Sequence, residues 1–437
     1  MLLVYTHKIT PRISYVFRHI CTRILQLPVK FTTAVDEFIV HDSLKISYAN
    51  KPLGNELHVK STEVLFDQGI TDIEISVQPW GDAPCFFATG TSGALPFDIF
   101  AASFVLLSRY EEFMPHVKDP EGRFPASESL GYQHDFLDMP VVDIWAFKFR
   151  EVLEKAFPNF MWPERKFDLQ PLVDVEQAYD LYKVGIMREI GGSLKDLVNF
   201  DFKRLFLRLQ VNMGLRKDPY DTFSWLINIQ KHTQQRFIYF FQVGDYSTYT
   251  KNVRYNKKDF RELVKGVGDY GQIGLLFSRE ALASGQQMKK EKKRIEGITN
   301  KPLNAVRCTS HMGNLTTNYR EMIQQEAEND YSMGYPDVLG FRAGTCTPFL
   351  YYDLDYESPT PLLVHPVCAQ SGVFEQHALE EKGLNHALDI FFKMHKATQK
   401  VNGSFIFSFK NKSFTGKGDD EGQWKQFFRQ LLNEQDS

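Results

Sequence analysis

Several absences narrow the class of this chain. No apolar run approaches the roughly eighteen residues needed to cross a bilayer. Its apolar start is interrupted by Arg12, Arg18, His19 and Arg23, which a secretory h-region does not tolerate. Cysteine is scarce and scattered: Cys21, Cys85, Cys308, Cys346 and Cys368 include no Cys-x-x-Cys pair. Neither a disulfide framework nor a zinc finger is therefore expected, and the thiols read as reduced and mostly buried. Strong charge of either sign is lacking too. A net charge of -3 gives no general attraction to nucleic acid or to an anionic membrane, so any charged site must be local. Internal repeats and low-complexity tracts are absent. These exclusions point to a cytoplasmic globular protein with no membrane insertion.

What is present supports a large folded chain. Length alone, at 437 residues, exceeds one ordinary core and predicts two or three domains. Hydrophobic residues at 43% against 24% charged match soluble globular proteins, and 37 phenylalanines can fill an aromatic core. A strand is predicted at 2–5. Ile13, Val16, Phe17, Ile20, Ile24 and Leu27 then recur at helical spacing, as in an amphipathic surface helix. Alternating stretches follow at 29–33 and 44–48. Pro96 reads as the first residue of a helix running to Tyr110, 111–139 as a polar surface loop, and 142–157 as a helix. A boundary near residue 160 makes 1–160 a smaller α+β domain. Beyond it, apolar strands at 169–173, 237–242, 272–277, 303–308, 338–341, 362–364 and 404–409 alternate with helical patterns at 177–190, 220–232, 258–267, 281–298, 317–329 and 386–400. That alternation predicts an α/β fold with an irregular (β/α) barrel over 161–437.

Gly266, Gly268 and Gly271 satisfy Gly-x-Gly-x-x-Gly. A dinucleotide site needs a strand before the motif and a helix after it, and here the order is reversed. Lys289, Lys290, Lys292, Lys293 and Arg294 form a basic cluster. Glu291 and Glu296 interleave the cations, which describes a solvated helix face. Asp174 and Glu176 sit where the first barrel strand ends, the end at which such folds place chemistry. Two residues apart on an extended segment, they project to one side, as a cation-sharing pair or as solvated loop acids. Arg342, in Gly340-Phe341-Arg342-Ala343-Gly344-Thr345, can orient an acid through a bidentate pair or form a structural salt bridge, with Gly344 permitting a tight turn.

The run Asp330-Tyr331-Ser332-Met333-Gly334-Tyr335, continuing through Gly340 to Thr345, Pro348-Phe349 and Tyr352-Asp353-Leu354, resembles a bacterial branch of the polysaccharide deacetylase (NodB-homology) family. Val243-Gly244-Asp245-Tyr246-Ser247 adds a further match. Leu107-Ser108-Arg109-Tyr110-Glu111-Glu112 and Arg123-Phe124-Pro125-Ala126 are similar to that branch's extra N-terminal domain. The resemblance implies a NodB-type barrel and a divalent metal, commonly zinc, held by one Asp and two His. That metal activates water against an acetyl carbonyl.

Aligned on that pattern, Asp174 matches the general base and Glu176 the metal-binding Asp. Leu276 stands where the first metal-binding His belongs and Glu280 where the second can be. Lys410, in Phe409-Lys410-Asn411, replaces the general acid. Leucine coordinates nothing, so the resemblance carries with it a broken metal site. Any metal would fall to Asp174, Glu176 and His311. The expected catalytic residues are Asp174, Arg342 and Lys410, and the expected substrate-binding ones are Glu176, His311 and Tyr335. The reading is a deacetylase-like protein that acts on or binds N-acetylated or O-acetylated carbohydrate, with weak or lost hydrolysis and no cofactor assigned unless it is active. Two alternatives stand beside it: an active carbohydrate deacetylase with a rearranged site that uses zinc or another divalent metal, and a non-enzymatic glycan-binding or regulatory partner of another protein. No nucleic acid partner is expected.

Overall fold

In the computed structural model, residues 1–91, 93–182, 186–308, 312–377, 383–415 and 422–433 are described, except for the side chains of 186–188, 377, 423 and 433. They form two compact units interleaved in sequence: Met1–Asp168 with Ser332–Ile406, and Leu169–Tyr331 with Phe407–Ser437. The expected division near residue 160 was into consecutive segments. In this one, residues 332–406 belong with the N-terminal segment.

The first unit is built on a sheet of β1 (Leu2–Tyr5), β2 (Val29–Thr32), β3 (Lys45–Ala49) and β4 (His58–Lys60), in the order β2-β1-β3-β4 and parallel throughout. Parallel neighbours require a crossover, which the helical segment after β1 supplies, so this sheet is α/β in character rather than α+β. Thr10 caps that helix by accepting from the Ile13 amide, and Pro11 occupies its first turn. The segment runs on from Pro11–Phe17 into a π-helical Arg18–Ile24. It is not a surface helix. Arg12 and His19 are 1% and 2% exposed, the arginine because Glu357 accepts from its Nε at 2.9 Å.

The next helix starts later than Pro96 suggests, as Ile99–Leu107. Asp98 is the cap, its carboxylate accepting from the Phe100 and Ala101 amides. All nine helical residues are buried, and Phe100 stacks on Phe17 with ring centroids 3.6 Å apart. The helix expected at 142–157 forms as Val141–Ala156. Short β5 (Gln78–Trp80) and β6 (Ala83–Cys85) pair antiparallel. The 111–139 stretch is only partly a surface loop, since Phe124 and Ala126 pack with Tyr335 in a buried cluster. Residues 338–341 form no strand. The amides of Gly340 and Phe341 donate instead to Cys368 and Leu137.

In the second unit β7 (Asp168–Val175), β8 (Ile238–Gln242), β9 (Gln272–Leu276), β10 (Ala305–Arg307) and β11 (Asn329–Asp330) lie side by side in chain order and parallel. Residues 407–410 of the strand Ser404–Lys410 flank β7 on its other side. Between the strands run helices Phe223–Thr233, Lys258–Gly268, Gly285–Thr299 and Leu315–Gln324, the alternation expected from the sequence. Lys258–Gly268 precedes β9, so the glycine triad sits between a helix and a strand in the non-nucleotide order. A helix was expected at 177–190. Residues 176–182 form a loop instead, because the buried Asp218 carboxylate accepts from the amides of Asp180, Leu181 and Tyr182. The helix there is Ile186–Val198, followed by an unforeseen Phe202–Asn212. No helix among the described residues is long and apolar enough to cross a membrane.

Candidate functional site

A cavity of about 390 Å³ opens in the second unit where β7, β8 and β9 end. That volume lies in the range of about 300–1,000 Å³ usual for small-molecule sites. Asp174 and Glu176 both line it, as the two-residue period of β7 requires. Lys410 lines it as well, at the end of the strand Ser404–Lys410.

Each acid already holds a cation. Asp174 is 2% exposed, and its Oδ1 accepts from Arg307 Nε at 2.7 Å. Arg307 is wholly buried: its Nη2 donates to Ser408 Oγ at 2.8 Å and its Nη1 to the Tyr331 carbonyl. Glu176 lies 3.0 Å from the Lys410 ammonium. Arg307 was missed because its strand was read as apolar. The signal was available, since a lone arginine inside such a strand demands an acid partner.

Leu276 pairs in register with Gln242 on one side and Arg307 on the other. It is 1% exposed, and the cavity wall is formed by its neighbour Phe277. Glu280 lies outside that lining. It accepts from Thr250 Oγ1 at 3.2 Å, and although burial pushes its carboxyl up, hydrogen bonds from Ser247, Thr250 and Ser278 bring it below the usual range. His311, four residues beyond the end of β10, lies outside the described residues. Among the described residues no three His, Cys, Asp or Glu side chains converge. A guanidinium and an ammonium hold the two acids, and an aliphatic side chain stands at the first histidine position. Asp174, Glu176 and Leu276 by themselves do not supply the ligands of a zinc site.

Other groups shape the cavity. Asn411 is 1% exposed and donates to the carbonyls of Gln177 and Tyr220, tying the loop after β7 to the end of Ser404–Lys410. Lys251, Arg279 and Lys412 add cations to the wall, with the Arg279 guanidinium 4.3 Å from the centre of the Tyr249 ring. The basic cluster of 289–294 is less solvated than its composition suggests. Glu291 is buried and accepts from the Ser278 hydroxyl at 2.5 Å, while Arg294 donates to Asp245 at 2.7 Å. These bonds anchor the loops after β8 and β9.

Arg342 and Tyr335 lie in the first unit. Arg342 does form the bidentate pair its sequence context allowed, with Glu112 as partner: Nη2 reaches both carboxylate oxygens at 2.9 Å. Arg109 donates to the same carboxylate at 2.8 Å and to the Tyr335 hydroxyl at 3.4 Å. Burial pushes the Glu112 carboxyl up, but Arg342 and Arg109 outweigh it and hold it below the usual range. Burial raises the Tyr335 phenol. Gly344 turns the backbone at φ +63°, as expected.

Comparison with known proteins adds the following. A family of unknown function, DUF7033, matches residues 2–158. No curated protein matches. Among solved structures, a candidate polysaccharide deacetylase from Mycobacterium smegmatis is similar at 12% identity and a TM-score of 0.39, over 63% of this chain and 86% of that one. The polysaccharide deacetylase Bc1974 from Bacillus cereus is similar at 10% identity and 0.31, over 62% and 88%. A mutant of a CE4 family pseudoenzyme with restored enzymatic activity is similar at 8% and 0.30, over 62% and 64%. Residue roles do not transfer at such identities.

Proposed function

We propose that this chain is a polysaccharide deacetylase-like protein that binds acetylated carbohydrate in the β7–β9 cavity, with metal-dependent hydrolysis weak or absent. The Asp174–Arg307 pair carries this reading. A carboxylate that serves as general base must have a lone pair facing the water it activates. Here one of the two oxygens is committed to a buried guanidinium, itself clamped by Ser408 and Tyr331, and Asp174 as a whole is only 2% exposed to meet a water. Glu176 and Lys410 at the cavity wall are suited to hydroxyl and amide groups, and the exposed Tyr249 ring offers a face for a sugar.

The test is metal analysis of the purified full chain, with calorimetric titration of N-acetylglucosamine oligomers. Expected are substoichiometric zinc and saccharide binding weakened roughly tenfold in Lys410→Ala, the size of one charged hydrogen bond. Stoichiometric zinc together with acetate release that disappears in Asp174→Ala would establish the rearranged-site enzyme in its place. Failure to bind any of the oligomers would remove the carbohydrate assignment.

A further inference from the structure

The helices Ile186–Val198 and Phe202–Asn212 pack against each other as a hairpin whose amphipathicity is inverted relative to water. Ile190, Leu194, Leu197 and Val198 lie at the i, i+4, i+7, i+8 spacing of one helical face, and all four are exposed. Phe202, Phe206, Leu209 and Met213 form the matching stripe of the second helix, again exposed. Phe200 at the turn reaches 78% exposure and Leu215 beyond the hairpin 72%.

The buried side of the hairpin holds an ion pair beside Val211. Arg208 and Asp196 pair across it at 2.8 Å, both side chains 8% exposed. Gly192 leaves the room that the guanidinium occupies, since a Cβ there would stand 2.6 Å from Arg208 Nη2. A helix pair that pairs its ions inward and presents phenylalanine and leucine outward is built for an apolar neighbour. Contiguous apolar surface of this kind on a soluble protein marks an interaction site.

Charge selects the neighbour. Among the charged side chains of 189–217, Lys195, Lys203, Arg204, Arg216 and Lys217 are exposed, Arg204 beside Asp180 at 3.4 Å, against the exposed Asp201 and the half-buried Glu189. The rest of the chain must then be net acidic, because the whole carries -3. A second copy of this segment would meet the first with an excess of exposed positive charge on each side. A bilayer with anionic headgroups satisfies both features, taking the apolar stripes into the acyl boundary and the lysines and arginines at the phosphates. Helices of 13 and 11 residues are about 20 and 16 Å long, too short for a hydrocarbon core of about 30 Å. The hairpin would therefore lie in the interface rather than cross it.

We propose that the 189–217 segment docks this protein peripherally on anionic lipid surfaces. The test is flotation of the full chain with vesicles of phosphatidylcholine alone and of equimolar phosphatidylcholine and phosphatidylglycerol, with light scattering on the protein alone. Expected is binding to the anionic vesicles that weakens with added salt. Phe206→Ser with Met213→Ser should reduce it at least roughly tenfold, since two large side chains lose their burial. Lys203→Glu, an exposed change that keeps the apolar stripe, should reduce binding to anionic vesicles only. No binding to either vesicle would overturn the proposal. So would a dimer dispersed by the Phe206/Met213 variant in place of lipid binding, which would assign the face to a second copy.

Discussion

Arg307 illustrates how a single side chain sets the character of the cavity. Wholly buried, it engages Asp174, Ser408 and the Tyr331 carbonyl at once, so the fold around it is tuned to a fixed cation. Breaking a buried pair by removing one partner leaves the other charge uncompensated, at a cost of about 3–5 kcal/mol. Arg307→Met is expected to lose stability of that order in urea denaturation followed by tryptophan fluorescence. Asp174→Asn with Arg307→Met should cost less than the two single changes summed, the sign of a direct coupling. Additive losses would show that the pair is not energetically linked. The acids here were legible from the sequence, because their spacing places them on one side of β7. Arg307 stands out as a lone cation in an apolar strand, but its choice of Asp174, like the pairing of Lys410 with Glu176, follows from no local pattern.

At the scale of elements, the Gly344 turn tests how closely the first unit is packed. Its φ of +63° lies in the left-handed region, its carbonyl accepts from the Val142 amide at 2.9 Å, and an added Cβ would stand 2.7 Å from Leu106 Cδ1. Strain of about 1–2 kcal/mol adds to overpacking of about 1–3 kcal/mol. Gly344→Ala should therefore destabilise by roughly 2–5 kcal/mol, measured by chemical denaturation. In a Leu106→Ala background the packing part should disappear and the backbone part remain. The turn itself was foreseeable from its glycine. The hairpin of 186–212 was not, since its apolar periodicity announces a buried face while the tertiary structure leaves that face outside.

For the whole molecule, acid lability follows from buried imidazoles. Burial pushes His19 and His365 down to about 3, and neither ring nitrogen of His19 has a hydrogen-bond partner among the described residues. The unfolded chain takes up these protons near pH 6.5, while the folded chain resists until about pH 3. Their contribution is thus complete above the unfolded pKa and is lost as pH falls between these limits. Glu112 and Asp143, both held low, act in the same sense at lower pH. Asp98, raised by burial, acts oppositely. The melting temperature should begin to fall below about pH 6.5, before ordinary carboxylates titrate. His19→Leu should flatten that slope and raise neutral-pH stability by about 1–3 kcal/mol, since it removes unsatisfied polar atoms. A thermal-unfolding series across pH with the same slope in both proteins would contradict this account.

Residue spacing by itself determined the strands β7, β8 and β9, the helices Phe223–Thr233 and Lys258–Gly268, and the common side of Asp174 and Glu176, because periodicities are local properties of a chain. The tertiary structure alone decided which charges meet. Asp174 finds Arg307 across 133 residues, and Glu112 finds Arg342 across 230. It also decided that the apolar stripe of Pro11–Ile24 is core and the apolar stripes of the hairpin, Ile190 to Val198 and Phe202 to Met213, are not. Burial depends on what the rest of the chain brings alongside, and a periodic pattern specifies a face without specifying its neighbour.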